Sequence, residues 1–96
     1  MKARQAGTIV FVTSAAPLRG LAHYVPYASA RGAANAMVQS LALELAPHNV
    51  RVNAVAPNYI ATETYFPRSL LSDEQAVAKM TRRIPLRRLG TAEEAA

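Results

Sequence analysis

Two short β-branched, apolar runs separated by one long helix-forming stretch constrain the fold of this chain most. Thr8-Ile9-Val10-Phe11-Val12 carries no polar alternation, the pattern of a strand buried on both faces of a parallel sheet. Val50-Arg51-Val52-Asn53-Ala54-Val55-Ala56 is the second strand, closed by Pro57. Between them, Tyr27 to about Ala46 is rich in good helix formers, with Ala30, Ala34, Met37, Leu41 and Leu45 at helical spacing. Such a helix is about 30 Å long, and Pro47-His48-Asn49 ends it. Strand, crossover helix and strand form a βαβ unit, which is right-handed in nearly all cases. The fold class is therefore α/β, built on a doubly wound parallel sheet with further helices after the second strand.

The rest of the chain punctuates this unit. Pro17, Gly20 and Pro26 make residues 15 to 26 a loop over the first strand's end. Residues 58 to 69 form a second, polar and aromatic loop. Asp73-Glu74 begins a helix over about Ser72 to Arg82, where acidic side chains suit the positive end of the helix dipole. Thr91, with Glu94 three positions on, is a capping-box signature for one more helix. The opening Met1 to Gly7 reads as a helix tail and turn. Residues 1–96 are thus expected to be an internal or C-terminal portion of one larger α/β domain.

Composition excludes several function classes. Apolar residues make up 51% of the chain, yet no run of about 18 of them is long enough to span a membrane. No secretory signal is visible, so a soluble, cytoplasmic protein is expected. Zero cysteines exclude disulfides and thiolate metal sites. His23 and His48 are far apart and lack partnered carboxylates, so solvated or capping roles are expected and no metal site is. The net charge of +5 raises the question of nucleic acid. Its only cluster, Arg82-Arg83 with Arg87-Arg88, has no interleaved aromatic residues on which bases would stack. A solvated surface or a subunit contact accounts for it better.

The chemistry concentrates where an open α/β sheet binds ligands, beyond the carboxyl ends of its strands. Ser14 follows the first strand, Asn58 follows the second, and Tyr27 opens the helix beside them. Tyr27 and Arg31 are four apart and share a helix face. A phenol normally titrates near ~10 and needs a cation to serve as a base at neutral pH. Arg31 supplies that cation, and the Ser14 hydroxyl can orient a substrate oxygen. The structural alternatives are a strand-capping hydroxyl for Ser14, a solvated helix-start aromatic for Tyr27, a surface arginine for Arg31 and a turn residue for Asn58.

Ile9 to Ser14, Tyr27-Ala28-Ser29-Ala30-Arg31, Val52 to Asn58 and Pro85-Leu86-Arg87-Arg88-Leu89-Gly90 together resemble the second half of the short-chain dehydrogenase/reductase superfamily. The resemblance implies a Rossmann-like domain whose N-terminal nucleotide-binding half and final strand are absent from these 96 residues. Two positions depart from the reductases. Arg31 stands where they carry lysine, and Asn58-Tyr59 follows Pro57 where they carry glycine. An arginine fork does not replace a lysine ammonium at a tight site. Both departures are similar to halohydrin dehalogenases, relatives that use Ser-Tyr-Arg without a dinucleotide.

That resemblance implies a lyase converting vicinal halo-alcohols to epoxide and halide, and the reverse opening of epoxides by small anions. It assigns Tyr27 as general base, Ser14 to the substrate oxygen and Arg31 to the Tyr27 anion, with no cofactor. Asn58, Tyr59 and Ile60 would cradle the halide, and Tyr65 and Phe66 would wall its pocket. The residue 27–46 helix would join subunits into a dimer or tetramer. The competing implication is an NAD- or NADP-dependent oxidoreductase in which Tyr27 protonates a carbonyl and Thr62 reaches the nicotinamide amide. An inactive truncated fragment or scaffold is the third reading.

Overall fold

The computed structural model describes residues 1–96, which divide into two compact units, Met1–Asn58 and Tyr59–Ala96. The first contains β1 (Gly7–Val12), α1 (Val25–Leu45) and β2 (Val50–Val55). β1 and β2 pair in parallel, with Gly7 opposite Val50, Ile9 opposite Val52 and Val12 opposite Val55. This is the expected βαβ unit. β1 gains Gly7 over the expected range, and α1 starts two residues early because Pro26 is accommodated in its first turn. A short 3₁₀ turn over Ala16–Leu18 lies within the expected loop.

One face of the sheet meets α1 and forms the core. Val38 and Leu45 of the helix pack with Val50 and Val52, and Ile9, Phe11, Leu41 and Ala42 are partly buried against them. Met37, expected on the apolar stripe, is 46% exposed, and Val38 takes the core-facing place. The apolar face of α1 thus runs through residues 38, 41, 42 and 45.

The expectation that β1 is buried on both faces is not met within these residues. Its burial alternates along the strand, with Val10 and Val12 exposed on the side away from α1. A two-stranded sheet with one covering helix can bury only one face.

The helix hands over to β2 through a 3₁₀ turn, Ala46–His48, and Asn49 at φ 53°. Asparagine tolerates this left-handed backbone better than most residues. Its side-chain amide also donates to Gln5 O at 3.2 Å, tying the turn to the chain just before β1. His48 Nδ1 meets Gln5 Nε2 at 3.1 Å, an exposed side-chain contact and not the capping bond weighed for this histidine.

In the second unit, α2 (Arg68–Leu71) precedes α3 (Glu74–Thr81), and α4 (Ala92–Ala95) ends the chain. Asp73 caps α3 by accepting from the backbone N–H groups of Gln75 and Ala76. Thr91 and Glu94 form both bonds of the expected capping box. Gly90 pairs with Ile60 in a parallel bridge, and a Cβ at Gly90 would lie 2.8 Å from Ile60 Cδ1. No helix is long and apolar enough to cross a membrane.

Candidate active site

The ends of β1 and β2 continue to pair after the strands stop, which fixes the backbone around Ser14. Thr13 N donates to Val55 O at 2.9 Å, and Ala15 N donates to Pro57 O at 3.1 Å. Ser14 is 5% exposed. Its hydroxyl oxygen accepts from Ala16 N at 3.1 Å, so the capping role weighed for this side chain is present. That bond occupies one lone pair and leaves the hydroxyl proton and a second lone pair for other partners.

Tyr27 lies in the first turn of α1, 40% exposed. One turn on, the Arg31 guanidinium carbon is 5.4 Å from the Tyr27 ring centroid, within the range of a cation–π contact. Arg31 Nη1 also donates to Val12 O at 3.4 Å. The helix therefore carries its cation to the strand end and holds it over the phenol ring. Tyr27 and Arg31 are brought together as the sequence predicts, beside the backbone that leads into Ser14.

Asn58, at the end of β2, accepts through Oδ1 from Arg19 Nη2 at 3.2 Å. With its oxygen committed to Arg19, the Asn58 amide presents its N–H groups elsewhere. Arg19 was not singled out in the sequence, where it is one arginine in a loop. Asn35 was not singled out either, and its Nδ2 donates to Ser14 O at 3.0 Å. A signal for Asn35 does exist: it continues the 27, 31 spacing by another four residues along α1.

The remaining expected residues lie in the second unit. Tyr59 and Phe66 form an edge-to-face pair with centroids 6.3 Å apart. Ile60 is half-buried at its bridge with Gly90, and Ala61 N donates to Gly90 O at 2.8 Å. Thr62 O accepts from the backbone N–H groups of Tyr65 and Phe66, which turns the chain there. Tyr65 is 75% exposed. No group of His, Cys, Asp or Glu residues suits a metal ion.

The family model described as enoyl-(acyl carrier protein) reductase matches residues 1–96, the full length of this chain. The chain belongs to the short-chain dehydrogenase/reductase family. Among curated relatives, 5-keto-D-gluconate 5-reductase of Escherichia coli (strain K12) is 34% identical over 94 residues, covering 98% of this chain and 36% of the relative. A solved structure described as a dehalogenation enzyme is 55% identical, with a TM-score of 0.87, over 97% of this chain and 38% of that one. A halohydrin dehalogenase bound to ethyl (2S)-oxiran-2-ylacetate is 37% identical, with a TM-score of 0.87, over 99% and 40% of the two chains. This short-chain dehydrogenase/reductase chain thus spans little more than a third of the length of these relatives. Its βαβ unit is a piece of their Rossmann-like fold.

The expectation of no cofactor requires correction. A gluconate 5-dehydrogenase from Burkholderia cenocepacia J2315, 26% identical with a TM-score of 0.83 over 98% of this chain and 36% of that one, was solved in complex with NADP and tartrate. The same backbone thus serves a dinucleotide-binding relative.

Proposed function

We propose that this chain carries the proton-transfer site of a carbon–halide lyase resembling the halohydrin dehalogenases. The observation that carries the reading is the Arg31 cation held over the Tyr27 ring in the first turn of α1. The 55% identity to a chain described as a dehalogenation enzyme supports it.

Tyr27 accepts the hydroxyl proton of a vicinal halo-alcohol while the Ser14 hydroxyl donates to the same oxygen. The new C–O bond closes an epoxide as the C–halogen bond breaks, and the halide leaves with the electron pair. Asn58, its amide oriented by Arg19, offers N–H donors to the departing anion. A wall role for Tyr59, Ile60, Tyr65 and Phe66 is what the resemblance to halohydrin dehalogenases implies. General acid–base catalysis of this kind contributes typically ~10²–10⁴-fold. In reverse, Tyr27 protonates the oxygen of an epoxide opened by a small anion. Met37 and Leu43, 46% and 79% exposed on α1, suit a subunit contact in a homo-oligomer.

A second reading is favoured by the NADP complex of a relative. In that reading Tyr27 and Arg31 are the side chains of the first unit that would hold the ribose hydroxyls of a nicotinamide nucleotide. The nucleotide would supply a hydride, and Tyr27 would deliver the proton to a carbonyl oxygen.

Halide release from a vicinal bromo-alcohol, measured on the full-length natural protein with and without added NADPH, separates the readings. Release that is lost in Tyr27→Phe is expected. Carbonyl-dependent oxidation of NADPH with no halide release refutes the lyase.

A further inference from the structure

One face of α1 changes character along its length. Positions 45, 42 and 38 are apolar and pack on the sheet, whereas 35, 31 and 27 on the same side are polar. Two of these polar side chains donate to backbone carbonyls two residues apart at the end of β1. Arg31 Nη1 reaches Val12 O at 3.4 Å, and Asn35 Nδ2 reaches Ser14 O at 3.0 Å. The Asn35 bond is shorter and partly buried, and it falls on the residue whose side chain the proposed reaction uses.

The N–H groups on either side of Ser14 are tied to the end of β2, at Val55 O and Pro57 O. Those bonds fix Thr13 and Ala15 against the neighbouring strand. Neither reaches toward the helix that carries Tyr27. The Asn35 bond does: the Ser14 carbonyl lies in the same peptide plane as the Ala15 N–H, so this plane is held to the neighbouring strand through Pro57 O and to the helix through Asn35. A turn of this plane about the backbone would swing the Ser14 hydroxyl away from an oxygen held at Tyr27. Misplacement by about 1 Å is enough to cost ~10²-fold in a well-oriented reaction.

We infer that Asn35 is a positioning residue for the reaction, holding Ser14 in register with Tyr27 through the Ser14 carbonyl. It touches neither substrate nor reacting atoms. This inference rests on the proton-transfer reading given above, in which Ser14 bonds the substrate oxygen.

The test is a double-mutant cycle in the full-length natural protein, read in kcat/KM for whichever activity it shows, halide release or carbonyl-dependent NADPH oxidation. Asn35→Leu keeps the side-chain size and removes the donor, and Ser14→Ala removes the hydroxyl it positions. Asn35→Leu alone is expected to lower kcat/KM about 10-fold, near 1.4 kcal/mol. In the Ser14→Ala background the same substitution should change it by less than about 2-fold, because no hydroxyl remains to misplace.

A merely structural role would give the same loss in both backgrounds, and that result overturns the inference while leaving the proton-transfer reading intact. Ser14→Ala with undiminished activity overturns the reading and the inference with it. Should Asn35→Leu melt below the assay temperature, Asn35→Asp, which also lacks the donor, takes its place in the cycle with the same two outcomes.

Discussion

Replacing Arg31 with methionine removes a charge while leaving an unbranched side chain, so the loss measures what the cation does for the phenol. The guanidinium carbon is 5.4 Å from the Tyr27 ring centroid. The charge that develops on the phenol sits mainly on its oxygen rather than at the centroid, so for a separation of roughly 5–8 Å two unit charges interact by about 2–3 kcal/mol at an effective dielectric of ~20 and by about 0.5–0.8 kcal/mol in water. Tyr27 is 40% exposed, which places the interaction in the lower half of that range. A loss of about 1–2 kcal/mol of transition-state stabilisation corresponds to roughly 5- to 30-fold in kcat/KM.

The accompanying loss of the Arg31 to Val12 bond matters less. At 3.4 Å it is long for a hydrogen bond and it is exposed, so its removal should cost under about 1 kcal/mol of stability. Arg31→Lys restores the charge without the fork, and should recover most of the activity that Arg31→Met loses. Steady-state kinetics on the three proteins, with melting temperatures to show that each is folded, decide the matter. Arg31→Met within 2-fold of the parent refutes the electrostatic role. Arg31→Lys as impaired as Arg31→Met shows that guanidinium shape, and not charge, is what Tyr27 requires.

Two further outcomes follow from packing and capping. Val50 is 2% exposed in the core, so Val50→Ala should destabilise the full-length protein by about 2 kcal/mol from lost transfer and cavity terms; urea unfolding with an unchanged midpoint contradicts this. Hydrogen bonds, first from the Arg88 side chain and then from Thr91 N–H, hold the Glu94 carboxyl down to about 2. A depressed folded value means that its contribution to the α4 cap is complete above the ordinary 4.5 and is lost as pH falls through about 2. Carboxyl-carbon NMR titration should show this midpoint, and Arg88→Ala should raise it; a midpoint that stays near 2 in the variant rules out Arg88 as the cause.

The βαβ unit was legible because its signals are local and mutually consistent. Two β-branched runs, a long helical period and Pro47-His48-Asn49 all describe the same connection, and the boundaries moved by only a residue or two. The capping box at Thr91 was legible for the same reason, since its two partners are three residues apart. Tyr27 and Arg31 were legible together because helical periodicity alone places them in contact. Asn35 and Arg19 were not, since their partners, Ser14 O and Asn58 Oδ1, lie across turns whose geometry no spacing rule describes. Val10 and Val12 of β1 are uncovered within these residues, since a run without polar alternation states which faces are apolar, not which elements cover them. The cofactor expectation failed for a different reason. Residues that move a proton are compatible with hydride chemistry next to them, so Arg31 in place of lysine together with Asn58-Tyr59 in place of glycine does not specify what the neighbouring space holds.

The position of the site follows from a mismatch of lengths. Six-residue strands extend about 20 Å, whereas the 21-residue α1 extends about 30 Å. Leu45 packs near the start of β2, at Val50 and Val52, so the surplus of about 10 Å, roughly two turns, projects past the carboxyl ends of both strands. Those two turns hold Tyr27 and Arg31. Along the covered part of α1, the inward face must be apolar to pack on Ile9, Phe11 and Val52. Beyond the strand ends there is no sheet side chain to meet, only backbone carbonyls, and polar donors become the favourable choice. Arg31 and Asn35, reaching Val12 O and Ser14 O, are where that change occurs. The contacts that satisfy the strand ends thus tie the helix turns bearing Tyr27, Arg31 and Asn35 to the backbone at Val12 and Ser14, and under the proposed function a substitution that improved the helix as a packing element there would be expected to cost activity.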